Sequence, residues 1–394
     1  MDYTQQLAAL ARTLKQLLLA SYGLYPDDIE RELASAVTHL GGSELSLLLA
    51  DYDQRVLVSF AAADDRTYDI EGSGPGEAFR LERVIEEPLG GGRRRLWIPA
   101  KDSADRIGVI GLVDDGSIAL DSWETVGSLT GELLVSKAQY GDHITLRKRN
   151  GPFSLAAEMR WALLPPLTFP APEASIAGFL QPSHGIAGDA FDYAVTKRTA
   201  HLAIMDAMGH GLEASRMANV AVASYRSSRR AGADPAGSLV AMDEVIRSEF
   251  GDSRFVTAQA ATLDLDSGRM QIANAGHPQP LLLRRHAAPS RIPCPASRPA
   301  GLEGPPSVTD VQLQPGETVL FITDGVTDAR SPAGEHFGEE RLAELVAGLI
   351  DAGQSPAEVL RQAVRTVIDH QDGRPGDDAT LLAVTWRGSA PSDA

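Results

Sequence analysis

Aspartates adjoin apolar, strand-like runs at three places in the second half of this 394-residue sequence. The runs and their aspartates are 201–205 with Asp206, 319–323 with Asp324, and 380–384 with the preceding Asp377 and Asp378. If the third strand is antiparallel to the other two, we expect these acidic sites to meet at one edge of a sheet. A fourth acidic site, around Asp189 and Asp192, lies between the first two predicted strands of the same region.

Carboxylates that converge without lysine or arginine repel one another strongly unless cations lie between them. Divalent cations that prefer oxygen ligands and retain water are the expected partners. Two such ions about 3.5–4 Å apart would share a water and lower its pKa toward neutrality, producing a nucleophile for phosphoester cleavage. Aspartate beside glycine also makes ordinary turns, which explains any single site, but four sites at strand ends favour a metal centre.

Two glycine-containing segments lie beside the acidic sites. In 206–211, Asp206 is predicted to begin a turn that leads into a helix, whose N-terminus would add positive potential. The segment 274–278, Asn-Ala-Gly-His-Pro, is predicted to be a tight hairpin between two strands. His210 and His277 are expected to position or pack rather than to transfer protons. The sequence shows no Ser-His-Asp spacing, nucleophile elbow, P-loop or HExxH motif.

The region 171–387 is predicted to be one α+β domain that positions these residues. Its predicted strands are 175–180, 201–205, 258–264, 270–274, 280–284, 318–323 and 380–386, and its helices are 212–227, 235–249, 339–350 and 356–370. Asp234-Pro235 and Ser355-Pro356 each place a capping residue before a first-turn proline. The polar tail 388–394 is expected to be disordered.

Residues 1–138 are predicted to form a separate α+β module. Leucines between Leu7 and Leu18 recur at helical spacing. Two antiparallel hairpins and a closing amphipathic helix follow, predicted at 45–50 with 55–60, at 95–100 with 107–113, and at 123–134. Residues 139–170 are predicted to be a helical connector, because glycines and prolines interrupt it and a helix over 154–164 ends at Pro165.

The composition excludes several classes of protein. Lysine and arginine number 36 against 53 aspartates and glutamates, a net charge of −17 that argues against nucleic-acid binding. Cys294 is the only cysteine, which excludes an internal disulfide and a multi-cysteine zinc site. No apolar run approaches the roughly 18 residues that span a bilayer, and the start lacks the basic segment of a secretory signal. We therefore expect a cytoplasmic protein with no membrane partner.

Taken together, the acidic motifs resemble those of bacterial PP2C-like (PPM) serine/threonine phosphatases, and most closely the SpoIIE/RsbU type. Five motifs occur in the family's order within about 155–387: Gly188-Asp189 with Asp192-Tyr193, 206–211, 274–278, Thr323-Asp324-Gly325 and 376–380. The resemblance implies an α-β-β-α sandwich that binds two Mn²⁺ or Mg²⁺ ions. The first module resembles a GAF-type sensor domain in its order of elements.

Roles for individual residues follow from the resemblance. Asp206 would bridge both metals and the backbone carbonyl of Ala207 would complete one coordination shell. Asp377 is preferred over Asp378 because the family's ligand is the first residue of that pair. The other carboxylate ligands would be Asp189 and Asp324. An activated water would then attack phosphoserine or phosphothreonine in line, with no phosphoenzyme.

The sequence departs from the family pattern at four positions. Ala187 stands where the family usually has glycine, and Ala207 and Met208 stand where it has valine and a small hydroxyl residue. Arg160 replaces the usual glutamine of the connector, which in the family couples dimerisation of the sensor domain to the phosphatase. None of these changes removes a carboxylate.

The sequence therefore predicts a metal-dependent protein phosphatase that is controlled by its first domain and forms a homodimer. The family suggests a phosphorylated STAS-type anti-anti-sigma protein as the substrate. The alternative is a signalling scaffold whose phosphatase-like domain binds partners with little or no turnover. For residues 1–138 a dimerisation module without ligand and a ligand sensor both stay open.

Overall fold

The computed structural model describes residues 3–149, 151–181, 187–295 and 297–389. The chain divides into two compact units, Met1–Pro152 and Phe153–Ala394. This division lies within the stretch 139–170 that was predicted to be a connector. Of the tail predicted at 388–394, residues 390–394 lie outside the described part of the chain.

The first unit is built around one antiparallel sheet with helices. Its elements are α1 (Tyr3–Ala20), α2 (Ile29–His39), β1 (Gly42–Ala50), β2 (Val56–Ser59), β3 (Thr67–Asp69), α3 (Gly74–Leu81), β4 (Ile85–Gly90), β5 (Arg93–Asp102), β6 (Asp105–Asp114), α4 (Leu120–Ala138) and α5 (His143–Lys148). The sheet order is β3-β2-β1-β6-β5-β4. Both predicted hairpins, β1 with β2 and β5 with β6, are confirmed, as are the first and closing helices α1 and α4.

The second unit contains two sheets. Its elements are α6 (Leu155–Leu163), β7 (Thr168–Pro170), β8 (Ala174–Gln181), β9 (Ala187–Val195), β10 (Thr199–His210), α7 (Gly211–Arg230), α8 (Pro235–Phe250), β11 (Val256–Asp264), β12 (Arg269–Ala275), β13 (Leu281–Leu283), β14 (Ser290–Arg291), β15 (Ser307–Gln312), β16 (Thr318–Ile322), α9 (Asp324–Thr327), α10 (Glu339–Asp351), α11 (Pro356–His370) and β17 (Ala379–Trp386). One sheet has the order β15-β12-β11-β10-β9 and the other β14-β13-β16-β17-β8-β7.

The two sheets pack face to face and each carries helices on its outer side. Buried residues from both sheets, including Phe191, Leu202 and Leu382, form one apolar cluster between them. Helices α7 and α8 cover the outer face of the five-stranded sheet, and α10 and α11 cover that of the six-stranded sheet. The predicted α-β-β-α sandwich is thus confirmed.

Every strand and helix predicted after residue 171 is present, but two local predictions were wrong. The segment 274–278 is not a hairpin, because β12 and β13 belong to different sheets and the chain crosses between them there. The turn predicted after Asp206 is instead an irregular part of a strand, since β10 continues to His210. Its pairing with β11 ends at Ala207, and its pairing with β9 resumes at His210 after a register shift. No described helix is long and apolar enough to cross a membrane.

Candidate metal centre

The predicted aspartates meet where the two sheets face each other, rather than at the edge of one sheet as predicted. Asp189 in β9 and Asp206 in β10 lie opposite each other in antiparallel register. Asp324 begins α9 directly after β16, and Asp377 and Asp378 precede β17, the antiparallel partner of β16. Each sheet therefore contributes one pair of acidic sites, because the facing apolar surfaces bring the strand ends of both sheets together.

Asp189 connects the two sheets through hydrogen bonds. Its side chain is 3% exposed, and its Oδ2 accepts hydrogen bonds from Thr323 Oγ1 at 2.7 Å and from Thr380 Oγ1 at 2.6 Å. The backbone N–H of Thr380 also donates to Thr323 Oγ1 at 3.0 Å. The motif threonines of the six-stranded sheet therefore orient a carboxylate of the other sheet. No role was predicted for these threonines from the sequence, although both lie within the acidic motifs.

Burial and mutual repulsion raise the pKa values of these carboxyl groups. Burial is the largest cause for Asp189, whose pKa lies well above its ordinary value, and the charges of Asp206 and Asp378 add to it. The pKa of Asp206 is raised to about 7, by burial first and then by Asp324, Asp377 and Asp378. Partial desolvation and then neighbouring carboxylates also raise the pKa of Asp324 and that of Asp377, although both residues are exposed. The cluster therefore favours a bound proton or a bound cation over full ionisation.

Two motif glycines permit the close approach of backbones at this site. A Cβ on Gly188 would lie 2.1 Å from the carbonyl oxygen of Ala207. A Cβ on Gly325 would lie 1.8 Å from the carbonyl oxygen of Asp378. Both distances are shorter than any van der Waals contact, so these positions require glycine for steric reasons. The glycines thus act by allowing the aspartate-bearing segments to pack against each other.

The histidines near the site differ in their surroundings. His277 is buried, its Nδ1 lies 2.8 Å from Thr257 Oγ1, and burial lowers its pKa to about 3. Asn274 donates to the carbonyl of His277 at 3.0 Å and accepts from its N–H at 2.8 Å, which holds the crossing segment in place. These contacts agree with a packing role for His277. His210 is exposed at the end of β10.

The donor atoms of the cluster suit Mg²⁺ or Mn²⁺. Both ions prefer carboxylate and carbonyl oxygens, and Asp189, Asp206, Asp324, Asp377 and the Ala207 carbonyl offer only such atoms. Across the described ranges, no group of three acidic, histidine or cysteine side chains is already arranged to hold a metal ion. Because Mg²⁺ keeps several waters and is bound through one or two carboxylates, it does not need a preassembled cage of side chains.

Arg160 is a cation at the site that the sequence analysis did not place there. Its side chain, in α6, is 2% exposed, and its Nη1 lies 3.5 Å from Oδ2 of the equally buried Asp378. Burial lowers the pKa of this guanidinium, whereas Asp378, Asp189 and Asp206 stabilise its charge. The ion pair engages Asp378 and so favours Asp377 as the metal ligand of the two.

The C-terminal end of α6 is also anchored to the strand that carries Asp189. Arg226 donates to the carbonyl of Leu163 at 2.7 Å and to Oδ1 of Asp192 at 3.0 and 2.7 Å. The hydroxyl of Tyr193 donates to the carbonyl of Pro166 at 2.8 Å. Asp192, which the sequence analysis grouped with the acidic sites, is therefore paired with arginine and holds the connector helix.

Comparison with known proteins gives consistent matches. Residues 196–387 match the family model of stage II sporulation protein E (SpoIIE). The chain is 33% identical over 147 residues to protein IcfG of a Synechocystis species, covering 36% of this chain but only 22% of that protein. It is 23% identical over 252 residues to the phosphoserine phosphatase RsbU of Bacillus subtilis, covering 62% of this chain and 74% of that one.

A solved structure supports the same class. The crystal structure of the RsbU and RsbW domains of Rv1364c from Mycobacterium tuberculosis matches with a TM-score of 0.50 and 25% identity, over 56% of this chain and 63% of that one. The second unit therefore has the fold and the acidic motifs of PP2C-type phosphatases. Within this unit the match to the SpoIIE family model spans residues 196–387, just under half of the chain.

Replacing Arg160 tests its effect on the charge of the cluster. Arg160→Gln should destabilise the metal-free protein by about 3 kcal/mol, because Asp378 loses its buried partner. It should also tighten Mn²⁺ binding roughly tenfold, because a positive charge that opposes the cation is removed. Urea unfolding and isothermal titration calorimetry measure the two effects. Arg160→Lys, which keeps the charge, serves as the control. Unchanged or weaker Mn²⁺ binding by Arg160→Gln would contradict this role.

Mn²⁺ binding should depend on pH through Asp206. Because its pKa is raised to about 7, the carboxyl group holds a proton below that pH, which an incoming cation must displace. The affinity should therefore fall as pH decreases from about 8 to about 6, with up to one proton released per binding event at the lower pH. Calorimetry in buffers of different ionisation enthalpy measures this release. Equal affinity and no proton release across this range would contradict the shifted pKa.

Proposed function

We propose that this chain is a metal-dependent protein phosphatase that hydrolyses phosphoserine or phosphothreonine on a regulatory protein. The single observation that carries the proposal is the convergence of Asp189, Asp206, Asp324 and Asp377 from two sheets. The match of residues 196–387 to the SpoIIE family model supports the same reaction, and the relative RsbU is named a phosphoserine phosphatase.

The chain's own residues prepare the site for this reaction. Two divalent cations, when bound, supply an activated water for attack on phosphorus. Asp206 lies at the centre of the aspartate cluster, because the charges of Asp324 and Asp377 raise its pKa and it lies opposite Asp189. We propose that Asp206 would hold both cations, together with the carbonyl oxygen of Ala207 and the carboxylates of Asp189, Asp324 and Asp377. Thr323 and Thr380 fix the orientation of Asp189.

The surface beside the site fits a protein substrate. Met208 and Leu212 lie just after Asp206 in the chain and are 39% and 44% exposed. We propose that they contact the substrate, and that the substrate is a phosphorylated STAS-type anti-anti-sigma protein. The relatives named for RsbU and RsbW domains support a partner of this regulatory kind.

We further propose that the first unit regulates the phosphatase as a GAF-like dimerisation or sensor domain in the cytoplasm. Helix α6 is the element through which such control would reach the site. It carries Arg160, which contacts Asp378, and its end is held by Arg226. A shift of α6 would therefore change the charge next to the aspartates.

A non-catalytic scaffold is the alternative function. A scaffold would have no need to keep four clustered aspartates that repel one another, since their replacement by neutral residues would stabilise the fold. The clustered carboxylates therefore favour turnover. The two functions differ in whether Mn²⁺ produces hydrolysis by the purified chain.

Asp206→Asn tests the proposed chemistry. It should lower Mn²⁺-dependent hydrolysis of p-nitrophenyl phosphate by roughly a hundredfold or more, because the central ligand loses its charge. The metal-free variant should remain folded, since the change removes repulsion. Asp310→Asn, at an exposed position of β15 that pairs with Arg269, is the matched control and should keep full activity. Equal rates for wild type and Asp206→Asn would sink the assignment, and a wild type without turnover would favour the scaffold.

Removal of the first unit tests the regulatory proposal. The chain 153–394 should differ from the full chain in oligomeric state, with loss of the dimer, and in turnover of a phosphorylated STAS-type protein. Light scattering measures the mass, and release of inorganic phosphate measures the rate. If the truncated and full chains have the same oligomeric state and the same rate, the first unit has no regulatory role.

A further inference from the structure

A cavity lies in the second unit away from the aspartates. It has a volume of about 320 Å³ and lies between the six-stranded sheet and helices α10 and α11. Its floor is formed near Thr318 and Thr385, at the ends of β16 and β17 opposite to Asp324 and Asp377. This volume is within the range of small-molecule pockets.

The lining of the cavity changes from apolar to polar along the strands. The register pairs Leu320 with Ala383 in the innermost row, where Val346 and Leu360 of the helices also line the cavity. The next row is hydroxyl-bearing, because Thr318 pairs with Thr385 and Thr385 pairs with Ser175. Side chains two residues apart share a face of a sheet, so these rows follow one another across the same wall.

The hydroxyl row and the helix side both contain unused hydrogen-bonding atoms. Thr318 Oγ1 and Thr385 Oγ1 lie 2.7 Å apart and satisfy each other. Within the described residues, Oγ of Ser175, a side chain that is 6% exposed, and Oε1 of Gln354 are buried without a hydrogen-bond partner. A buried polar atom without a partner costs about 1–3 kcal/mol. The Ser175 hydroxyl can donate and therefore calls for an acceptor inside the cavity, whereas the Gln354 oxygen only accepts and does not select an anion.

Two arginines form the outermost part of the lining. Arg285 donates to the carbonyl of Ile350 at 3.4 Å and Arg387 to that of Ala171 at 3.2 Å. Neither forms an ion pair with a carboxylate in the part of the chain that the structure describes. Pro356, at the start of the 15-residue helix α11, lines the same cavity. The two guanidinium groups and the N-terminus of α11 therefore form a local positive site that complements an anion. The chain as a whole has a net charge of −17.

We propose that this cavity binds a small amphiphilic carboxylate, such as a medium-chain fatty acid. Its hydrocarbon chain would occupy the inner row beside Leu320 and Ala383. Its carboxylate would accept hydrogen bonds from Ser175 and from the guanidinium groups of Arg285 and Arg387. The proposal is independent of the phosphatase chemistry, because no residue of the aspartate cluster takes part.

Calorimetric titration of the full chain with decanoate tests the proposal. Decanoate should bind at one saturable site, and 1-decanol, which lacks the charge, should bind roughly tenfold more weakly. Acetate, which lacks the chain, and decyltrimethylammonium, which carries the opposite charge, should not bind measurably. No saturable binding of decanoate, or equal binding of decyltrimethylammonium, would overturn the proposal.

Variants locate the binding to this cavity. The double variant Arg285→Gln with Arg387→Gln should weaken decanoate to the affinity of 1-decanol while leaving 1-decanol unchanged. Ala383→Phe, which fills the inner row, should abolish binding of both. Arg230→Gln, at an exposed site on α7, is the matched control and should bind decanoate as the wild type does. If Ala383→Phe does not fold, the arginine variants alone decide. Decanoate binding that is unchanged in the arginine double variant would overturn the proposal.

Discussion

Repulsion between clustered carboxylates is the constraint on which the second unit depends. Asp189 and Asp206 lie opposite each other on neighbouring strands, and the charges of Asp324, Asp377 and Asp378 act on Asp206 from the other sheet. Such an arrangement is unfavourable unless protons or cations compensate it. The features around it each reduce that cost: threonine hydroxyls donate to Asp189, Arg160 pairs with Asp378, and the oxygen atoms suit a divalent ion.

The sandwich supplies the rigidity that holds these groups together despite their repulsion. An apolar cluster between the sheets, and one cluster beneath each helical layer, fix the strands that end at the aspartates. Gly188 and Gly325 allow the approach, and Asn274 holds the segment that crosses between the sheets. The helix α6 adds a cation whose position depends on its own anchoring by Arg226. The free energy of packing thus offsets the repulsion between the aspartates and keeps them close together.

Much of this could be predicted from the sequence because strong local patterns mark it. Apolar runs identified β10, β16 and β17 and the aspartates beside them. Strand β9 was missed because Asp189 and Asp192 interrupt its apolar pattern. Both side chains are nevertheless buried. Asp189 accepts hydrogen bonds from two threonines, and Asp192 is paired with Arg226. The assignment of strands to two sheets depends on pairing between distant segments, such as β8 with β17, which local patterns do not contain. Arg160 looked like a connector residue because its partner Asp378 lies more than two hundred residues away.

The most direct test of the central claim is anomalous diffraction at the manganese absorption edge from crystals of the full chain grown with Mn²⁺. The account predicts anomalous peaks enclosed by Asp189, Asp206, Asp324 and Asp377, with Asp206 in contact with both ions and Arg160 still paired with Asp378. Carboxylates that point away from one another, with manganese bound elsewhere or not at all, would contradict it.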